Sequence, residues 1–290
     1  MDLVKVAFDL AAFASIMILV VSGLAVIASL MGIFNMAHGE FVLLGAYTVF
    51  VAKGNGWPAW AGMLIAPFVV AAIGLLIELT IVRRLYRAPV TAMLATFGVG
   101  LAIREVIRVL LAGKYYEIPE PLPQIVEFAG GTFSLWRALI IVITFLLMVI
   151  SVCVIRYTRF GLQIRASLEN ANLAQASGLS TQRLYSITFA IGAGLAGLAG
   201  ALMVPLYSLS ADLGLQFLVQ AFLSVMLGGI GTFEGPISGA ALMGALTPGI
   251  QWLREYTGAA YWISPVTAEV TLYVLLLTAV KIYPQGLFKR

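Results

Sequence analysis

The chain has 290 residues, 61% of them hydrophobic and 10% charged, with a formal net charge of +4. Soluble domains carry about 25% charged residues, and a soluble globule of this size could not hide so much apolar surface, so part of the solvent is lipid. The basic excess is read as orienting membrane helices rather than binding nucleic acid, and the single cysteine, Cys153, excludes an intrachain disulfide and a cysteine-based metal cluster.

Charge-free runs extend from Leu10 to Gly39, Gly54 to Ile77, Ala138 to Ile155, Leu184 to Ala211, Leu213 to Phe233 and Gly235 to Leu253. A helix needs roughly 20 apolar residues to cross the hydrocarbon core, and these runs do not alternate as barrel strands do. Nine apolar segments are predicted, at about 8–30, 36–52, 59–82, 91–112, 136–155, 184–208, 215–231, 235–253 and 263–283. The first is long and lacks a small-residue cleavage site, so it reads as a retained helix rather than a signal peptide. The segments 36–52 and 215–231 are short, and each lies beside a glycine-rich interruption. The expected fold is therefore all-α: one transmembrane domain over 1–290, a polytopic bundle of about eight or nine spans, with broken helices near 31–40 and 228–236. Cys153, inside an apolar run, is expected to be a small buried residue.

Basic residues set the orientation. Arg83, Arg84 and Arg87 follow the third segment, Arg156, Arg159, Arg165 and Arg183 follow the fifth, and Lys281, Lys289 and Arg290 close the chain, ten of the 17 basic residues. The opposite side holds Lys53, Lys114, Arg137 and Arg254. The larger group is placed in the cytoplasm, with the C-terminus. The loop 113–135, with three prolines and three glutamates, is then an exterior cap. The loop 156–183 is cytoplasmic; its centre, 162–177, is predicted as one short polar helix stopped at Gly178.

Four motifs interrupt or punctuate the apolar pattern. Gly32 to Phe41 places Asn35, the only histidine (His38) and Glu40 between two apolar segments. Ionisable groups at membrane depth are costly and face cavities or partners; here they either line a translocation path, or Asn35 caps the next helix with Glu40 near its positive end. Leu227 to Pro236 repeats the theme with Gly229, Gly231 and Glu234, and paired interruptions of this kind mark the transport region of repeat-built transporters. In 191–201, Gly192, Gly197 and Gly200 belong to a small-residue stripe suited to close helix packing. The loop 156–183 offers either a grip for a partner ATPase or a solvated connection. Arg104 and Arg108, near the outer end of the fourth segment, are expected to snorkel to the interface. Glu78 and Glu269, inside apolar spans, either pair with an arginine of a neighbouring helix or line a cavity. No phosphate-binding loop is present: Gly113-Lys114, the only Gly-Lys pair, is followed by Tyr115.

Taken together, these motifs resemble the permease subunits of branched-chain (hydrophobic) amino acid ABC importers and their relatives for urea and short amides. The resemblance rests on Asn35-Met36-Ala37-His38-Gly39-Glu40 with Gly45-Ala46-Tyr47, Thr158-Arg159-Phe160-Gly161, Arg165-Ala166, Gly178-Leu179, Phe189 to Ala193 with Leu195-Ala196-Gly197, Leu227 to Gly231, and Pro284 to Phe288, in order along nearly the whole chain. It implies uptake by alternating access in a bacterial inner membrane and a second permease subunit forming a heterodimer. It further implies two cytoplasmic ATPases that use ATP and Mg, a soluble binding protein outside, and no cofactor, metal or catalytic residue on this chain. Coupling to the ATPases would fall on Arg159, Gly161, Arg165, Glu169, Ala171 and Gly178. Glu169-Asn170-Ala171 with Gly178 only loosely follows the Glu-Ala-Ala…Gly pattern of other ABC permeases. Two other classes are weighed against this: a stand-alone secondary transporter or channel, which would bind substrate and coupling ion through midplane ionisable groups, and a membrane enzyme, which would need convergent catalytic groups.

Overall fold

The computed structural model describes residues 3–86, 88–128, 131–229, 232–258, 262, 264–283 and 286–287; Arg87, Ile230, Gly231, Pro284, Gln285, Phe288, Lys289 and Arg290, invoked above, lie outside them. Among the described residues the chain forms eleven α-helices: α1 (Leu3–Met31), α2 (His38–Gly54), α3 (Ala59–Thr80), α4 (Pro89–Leu110), α5 (Leu135–Tyr157), α6 (Arg159–Glu169), α7 (Ala171–Ala176), α8 (Thr181–Met203), α9 (Leu213–Gly228), α10 (Glu234–Tyr256) and α11 (Pro265–Ile282). Each predicted apolar segment becomes one helix, because hydropathy is a local property and every residue in a bilayer must satisfy its backbone within its own helix. Six of these helices, α1, α3, α4, α5, α8 and α11, are long and apolar enough to cross a membrane. α2 and α9 have 17 and 16 residues. At 1.5 Å per residue they reach about 25 Å, short of a hydrocarbon core of about 30 Å.

Both long loops acquire structure. The loop 113–135 holds an antiparallel hairpin, β1 (Ile125–Phe128) and β2 (Gly131–Ser134). Tyr116 and Leu209 exchange both backbone hydrogen bonds (3.0 and 2.8 Å), tying this loop to the segment after α8. In the loop 156–183, the single helix expected over 162–177 is two helices. Asn170 is extended (φ −158°, ψ 100°), ends α6, and accepts a hydrogen bond from the Leu173 amide (3.0 Å) to open α7. An Asn side chain that satisfies an orphan amide competes with helix continuation, hence the break.

Gly178 ends α7 at φ +87°, with the Gly178 amide donating to Gln175 O (2.9 Å) and the Leu179 amide to Ala174 O (3.0 Å), a Schellman closure. Gly178→Ala is expected to cost about 1 kcal/mol, because a β-carbon disfavours the left-handed region. Faster amide hydrogen exchange confined to α7 is the check; unchanged protection there would contradict it.

The core lies along α8, which touches α1, α2 and α3. A β-carbon on Gly192 would meet Ile27 and Gly23 O of α1, one on Gly197 would meet Val70 of α3, and one on Gly200 would run into Val42 O of α2. Small residues permit this approach. α5 is the most apolar of the candidate spans and the least enclosed. Cys153 on it is exposed rather than buried, since α5 presents most of its surface outward.

Two halves of the chain are related by inversion. α1 begins at the hairpin, with Phe8 against Phe133 (5.0 Å), and ends at the opposite side; α8 begins beside the end of α3, with Tyr185 against Tyr86 (5.3 Å), and runs the other way. Each is followed by a non-helical segment, 32–37 or 204–212, and then by a short helix that starts inside the bundle. The contacts are reciprocal. A β-carbon on Gly23 would strike Gly192 O and one on Gly192 Gly23 O, and Gly39 and Gly214 meet in the same two-way manner. α4 and α11 complete the two units, and both open on Pro-Val-Thr-Ala, at 89–92 and 265–268. The break expected near 228–236 falls between the end of α9 at Gly228 and the start of α10 at Glu234, a place that corresponds to 55–58 between α2 and α3. The counterpart of 32–37 is 204–212.

Candidate functional site

The break after α1 carries the chain back into the bundle. His38, the first residue of α2, is fully buried, and its Nε2 lies 2.8 Å from Val20 O on α1. Val20 is eleven residues from the end of α1, so α2 starts about 16 Å deep. The Ala37 amide donates to Asn35 Oδ1 (3.1 Å) and the Met36 amide to Thr96 Oγ1 of α4 (3.1 Å). Asn35 therefore closes a turn ahead of the helix. Ala37 occupies the cap position without a side-chain cap, so of the two alternatives for Asn35 the helix-capping one is not realised.

Glu40 lies in the first turn of α2 and is 1% exposed. Arg104 of α4 donates to its Oε1 through Nε (2.9 Å) and also through its terminal nitrogen. The expected snorkelling of Arg104 thus does not occur: its side chain is 11% exposed and points inward. A carboxylate in a dehydrated setting attracts the cation more strongly than interfacial water does. One turn further along α4, Arg108 pairs with Glu105 (2.6 Å) and with Asp212 (2.8 Å), the residue that precedes α9. The starts of α2 and α9 thus meet at Gly39 and Gly214, and an arginine of α4 holds a carboxylate at each. Among the described residues, Asn35 Nδ2, His38 Nδ1 and Glu40 Oε2 are buried and have no hydrogen-bond partner. His38 faces α1 and Glu40 faces α4, so these atoms do not converge on one point.

The other path candidates lie elsewhere. Gly229 caps α9 at φ +86°, and the Leu287 amide donates to Leu227 O (2.8 Å) beside it. Glu234 pairs with Arg156 (3.1 Å) at the end of the molecule that carries α6 and α7. Neither Gly229 nor Glu234 joins Asn35, His38 and Glu40, and Gly231 lies outside the described residues.

At that same end, Thr158 caps α6 by accepting from the Gly161 amide (3.2 Å). Gly161 sits so close to Ile155 that a β-carbon would collide with its carbonyl. Arg165 turns back to donate to Ile155 O and to Arg156 O (3.5 Å), a cation on the last carbonyls of α5. Arg159, Glu169 and Gly178 are exposed and Ala171 is half-buried. Three further side chains, missed in the sequence, are large apolar groups exposed on this helix pair: Leu162, Leu168 and Leu173, at 60%, 41% and 65% exposure. Nearby, Glu78 is fully buried and accepts from Arg83 (3.3 and 3.4 Å) and from the Tyr86 hydroxyl, while Arg83 also reaches Ser186 of α8 (2.8 Å). Its arginine comes from the turn following its own helix, not from a neighbouring helix. Burial and the adjacent Glu78 carboxylate push the Tyr86 phenol up from its ordinary pKa.

Inverted units, half-length helices that start at depth, and ion pairs at their starts define a polytopic membrane transport protein. Residues 6–280 match the family described as the branched-chain amino acid transport system permease component, and the chain belongs to that family. It is 26% identical to the high-affinity branched-chain amino acid transport system permease protein LivH of Escherichia coli (strain K12), covering 94% of this chain and 91% of that one. It is 29% identical to BraD of Pseudomonas aeruginosa, with the same coverage. LivM of Escherichia coli (strain K12), a permease of the same transport system by name, is 29% identical over 81% of this chain and 61% of its own length.

Proposed function

We propose that this chain is the translocating subunit of an ATP-driven importer for branched-chain amino acids in a bacterial inner membrane. The end bearing α6, α7 and the end of α11 faces the cytoplasm, where the basic residues cluster. The observation that carries the ATP-driven part is the exposed leucine trio of α6 and α7. On a lipid-facing span such residues need no partner; on a polar helix pair outside the spans, exposed leucines are apolar surface suited to a protein partner. Two ATPase subunits using ATP and Mg dock there, with Arg159, Gly161, Arg165, Glu169, Ala171 and Gly178 shaping the contact, and a soluble binding protein delivers solute at the hairpin end. Urea and short amides, as substrates, have no support among the named relatives.

A second, LivM-like permease completes the path. α4 and α11 are the least apolar of the candidate spans and are also poorly enclosed. Gly98, on α4, faces open space. That combination suits protein or water rather than lipid, whereas the more apolar α5 suits lipid. The break at Asn35, His38 and Glu40 supports the path from within.

Reconstitution tests the proposal. Leucine uptake into proteoliposomes is expected only when ATPase subunits, partner permease and binding protein are all present. Uptake by this chain alone would overturn it. Replacing Leu162, Leu168 and Leu173 by serine is expected to lower ATPase co-purification at least about tenfold, the scale of a few lost anchor side chains. Unchanged recovery would remove α6 and α7 from the docking role.

A further inference from the structure

A cavity of about 680 Å³ opens between α1, α9, α10 and α11 toward the hairpin end. It is distinct from the break at His38 and Glu40, and none of the motifs above claims it. Its walls are of two kinds. Leu10, Phe13, Phe217 and Pro248 give an apolar floor, whereas Lys5, Gln220, Trp252, Glu269 and Tyr273 bring polar groups to it.

Gln220 is 8% exposed, and its Nε2 donates to the Tyr273 hydroxyl (2.9 Å). Among the described residues its buried Oε1 has no donor, and the buried indole N–H of Trp252 has no acceptor. An unsatisfied buried acceptor or donor costs roughly 1–3 kcal/mol in general, so such groups at a cavity mark places for a ligand's polar atoms. Two further charges face the same space. Among the described residues, Glu269, half-buried near the start of α11, has no ion-pair partner, and neither has Lys5. The other acidic groups at the rim are engaged: Asp9 with Arg137 (3.3 Å) and Glu255 with Arg254 (3.9 Å). A carboxylate within a span without a counter-charge is expensive unless the partner arrives from outside the chain.

We infer that this cavity receives a small zwitterion with an apolar side chain, its ammonium group at Glu269 and Gln220 Oε1 and its carboxylate toward Lys5 and the Trp252 indole N–H. The apolar floor takes the side chain. The volume falls within the range of small-molecule sites, about 300–1,000 Å³, and exceeds the solute, so binding is weak. Weak binding suits a path that must release what it accepts. The choice of leucine as the probe rests on the importer proposal; the position and charge pattern of the site do not.

The test is binding of radiolabelled leucine to the purified full-length chain in nanodiscs, without binding protein or ATPase. Saturable binding with Kd of roughly millimolar strength is expected. Isoamylamine, which lacks the carboxylate, and 4-methylpentanoate, which lacks the ammonium group, are each expected to compete about tenfold less well than unlabelled leucine, the worth of one charge-assisted contact. Glu269→Gln and Gln220→Leu are expected to weaken binding by a similar factor. Phe13→Trp, which fills the cavity without touching either charge, is expected to abolish it. Absence of saturable binding by the unaltered chain overturns the inference, as does equal competition by all three compounds or binding unchanged in a monodisperse Glu269→Gln or Phe13→Trp variant. ATPase co-purification, followed on the same preparations, reports on the importer proposal separately. A chain that recruits the ATPases but binds no leucine refutes the cavity alone.

Discussion

Arg104→Ala is expected to destabilise the protein by about 3–5 kcal/mol, the cost of stripping one partner from a buried ion pair. The carboxylate left behind is that of Glu40, 1% exposed in the first turn of α2, with no water to take the place of the guanidinium. The loss reaches further than the pair. α4 is held to the bundle at this level by the Met36–Thr96 hydrogen bond (3.1 Å), the close approach of Gly100 to Ala37 and Glu40, and the Arg104–Glu40 pair. With one of those three gone, α4 separates more readily and uptake falls with stability. The double replacement Glu40→Gln/Arg104→Gln removes both charges and is expected to recover most of the difference, because a neutral pair carries no large desolvation penalty. Thermal unfolding in nanodiscs distinguishes the two. If the single and double variants melted together, the pair would not be an electrostatic clamp.

The second large effect is expected at the point where α2 and α9 begin. A β-carbon on Gly39 would lie 2.6 Å from Gly214 O and 2.9 Å from Gly214 C, both backbone atoms that cannot rotate aside, and a β-carbon on Gly214 would strike Gly39 O. Gly39→Ala or Gly214→Ala is therefore expected to cost about 1–3 kcal/mol by overpacking, and Gly39→Val more. Transport should suffer beyond the stability loss, because this contact sets the separation of the two half-helix starts and with them the Glu40–Arg104 and Asp212–Arg108 pairs. Gly54→Ala is the control: it ends α2 in open space at an ordinary backbone angle and is expected to be neutral or slightly stabilising. Uptake by reconstituted transporter, normalised to folded protein, is the measurement. A Gly39→Ala variant that transports like the Gly54→Ala control would show that the two starts move independently.

The corrections share one physical origin. Arg104 was expected at the interface because it lies toward one end of its helix, a statement about sequence distance. Its partner Glu40 is 64 residues away, and only the folding of α4 against the break brings them together. The sequence leaves Glu78 between an arginine of a neighbouring helix and a cavity; the 3-10 turn after α3 supplies Arg83 instead. Glycine content pairs the interruption at 32–41 with that at 227–236. The true counterpart, 204–212, is richer in serine, proline and tyrosine than in glycine. A signal was available: Pro-Val-Thr-Ala occurs at both 89–92 and 265–268, and its spacing aligns the two halves.

What the amino-acid sequence determined by itself was the membrane setting, the nine apolar helices and the family. Each depends on local apolarity or on short motifs, and in lipid a helix satisfies its backbone without help from the rest of the chain. Tertiary structure alone decided the inversion of the two halves, the meeting of Gly39 with Gly214, the pairing of Glu40 with Arg104, and the cavity lined by Glu269 of α11 and Gln220 of α9. Those depend on contacts between residues far apart in the chain, where helix packing selects among the many partners that hydropathy leaves equivalent.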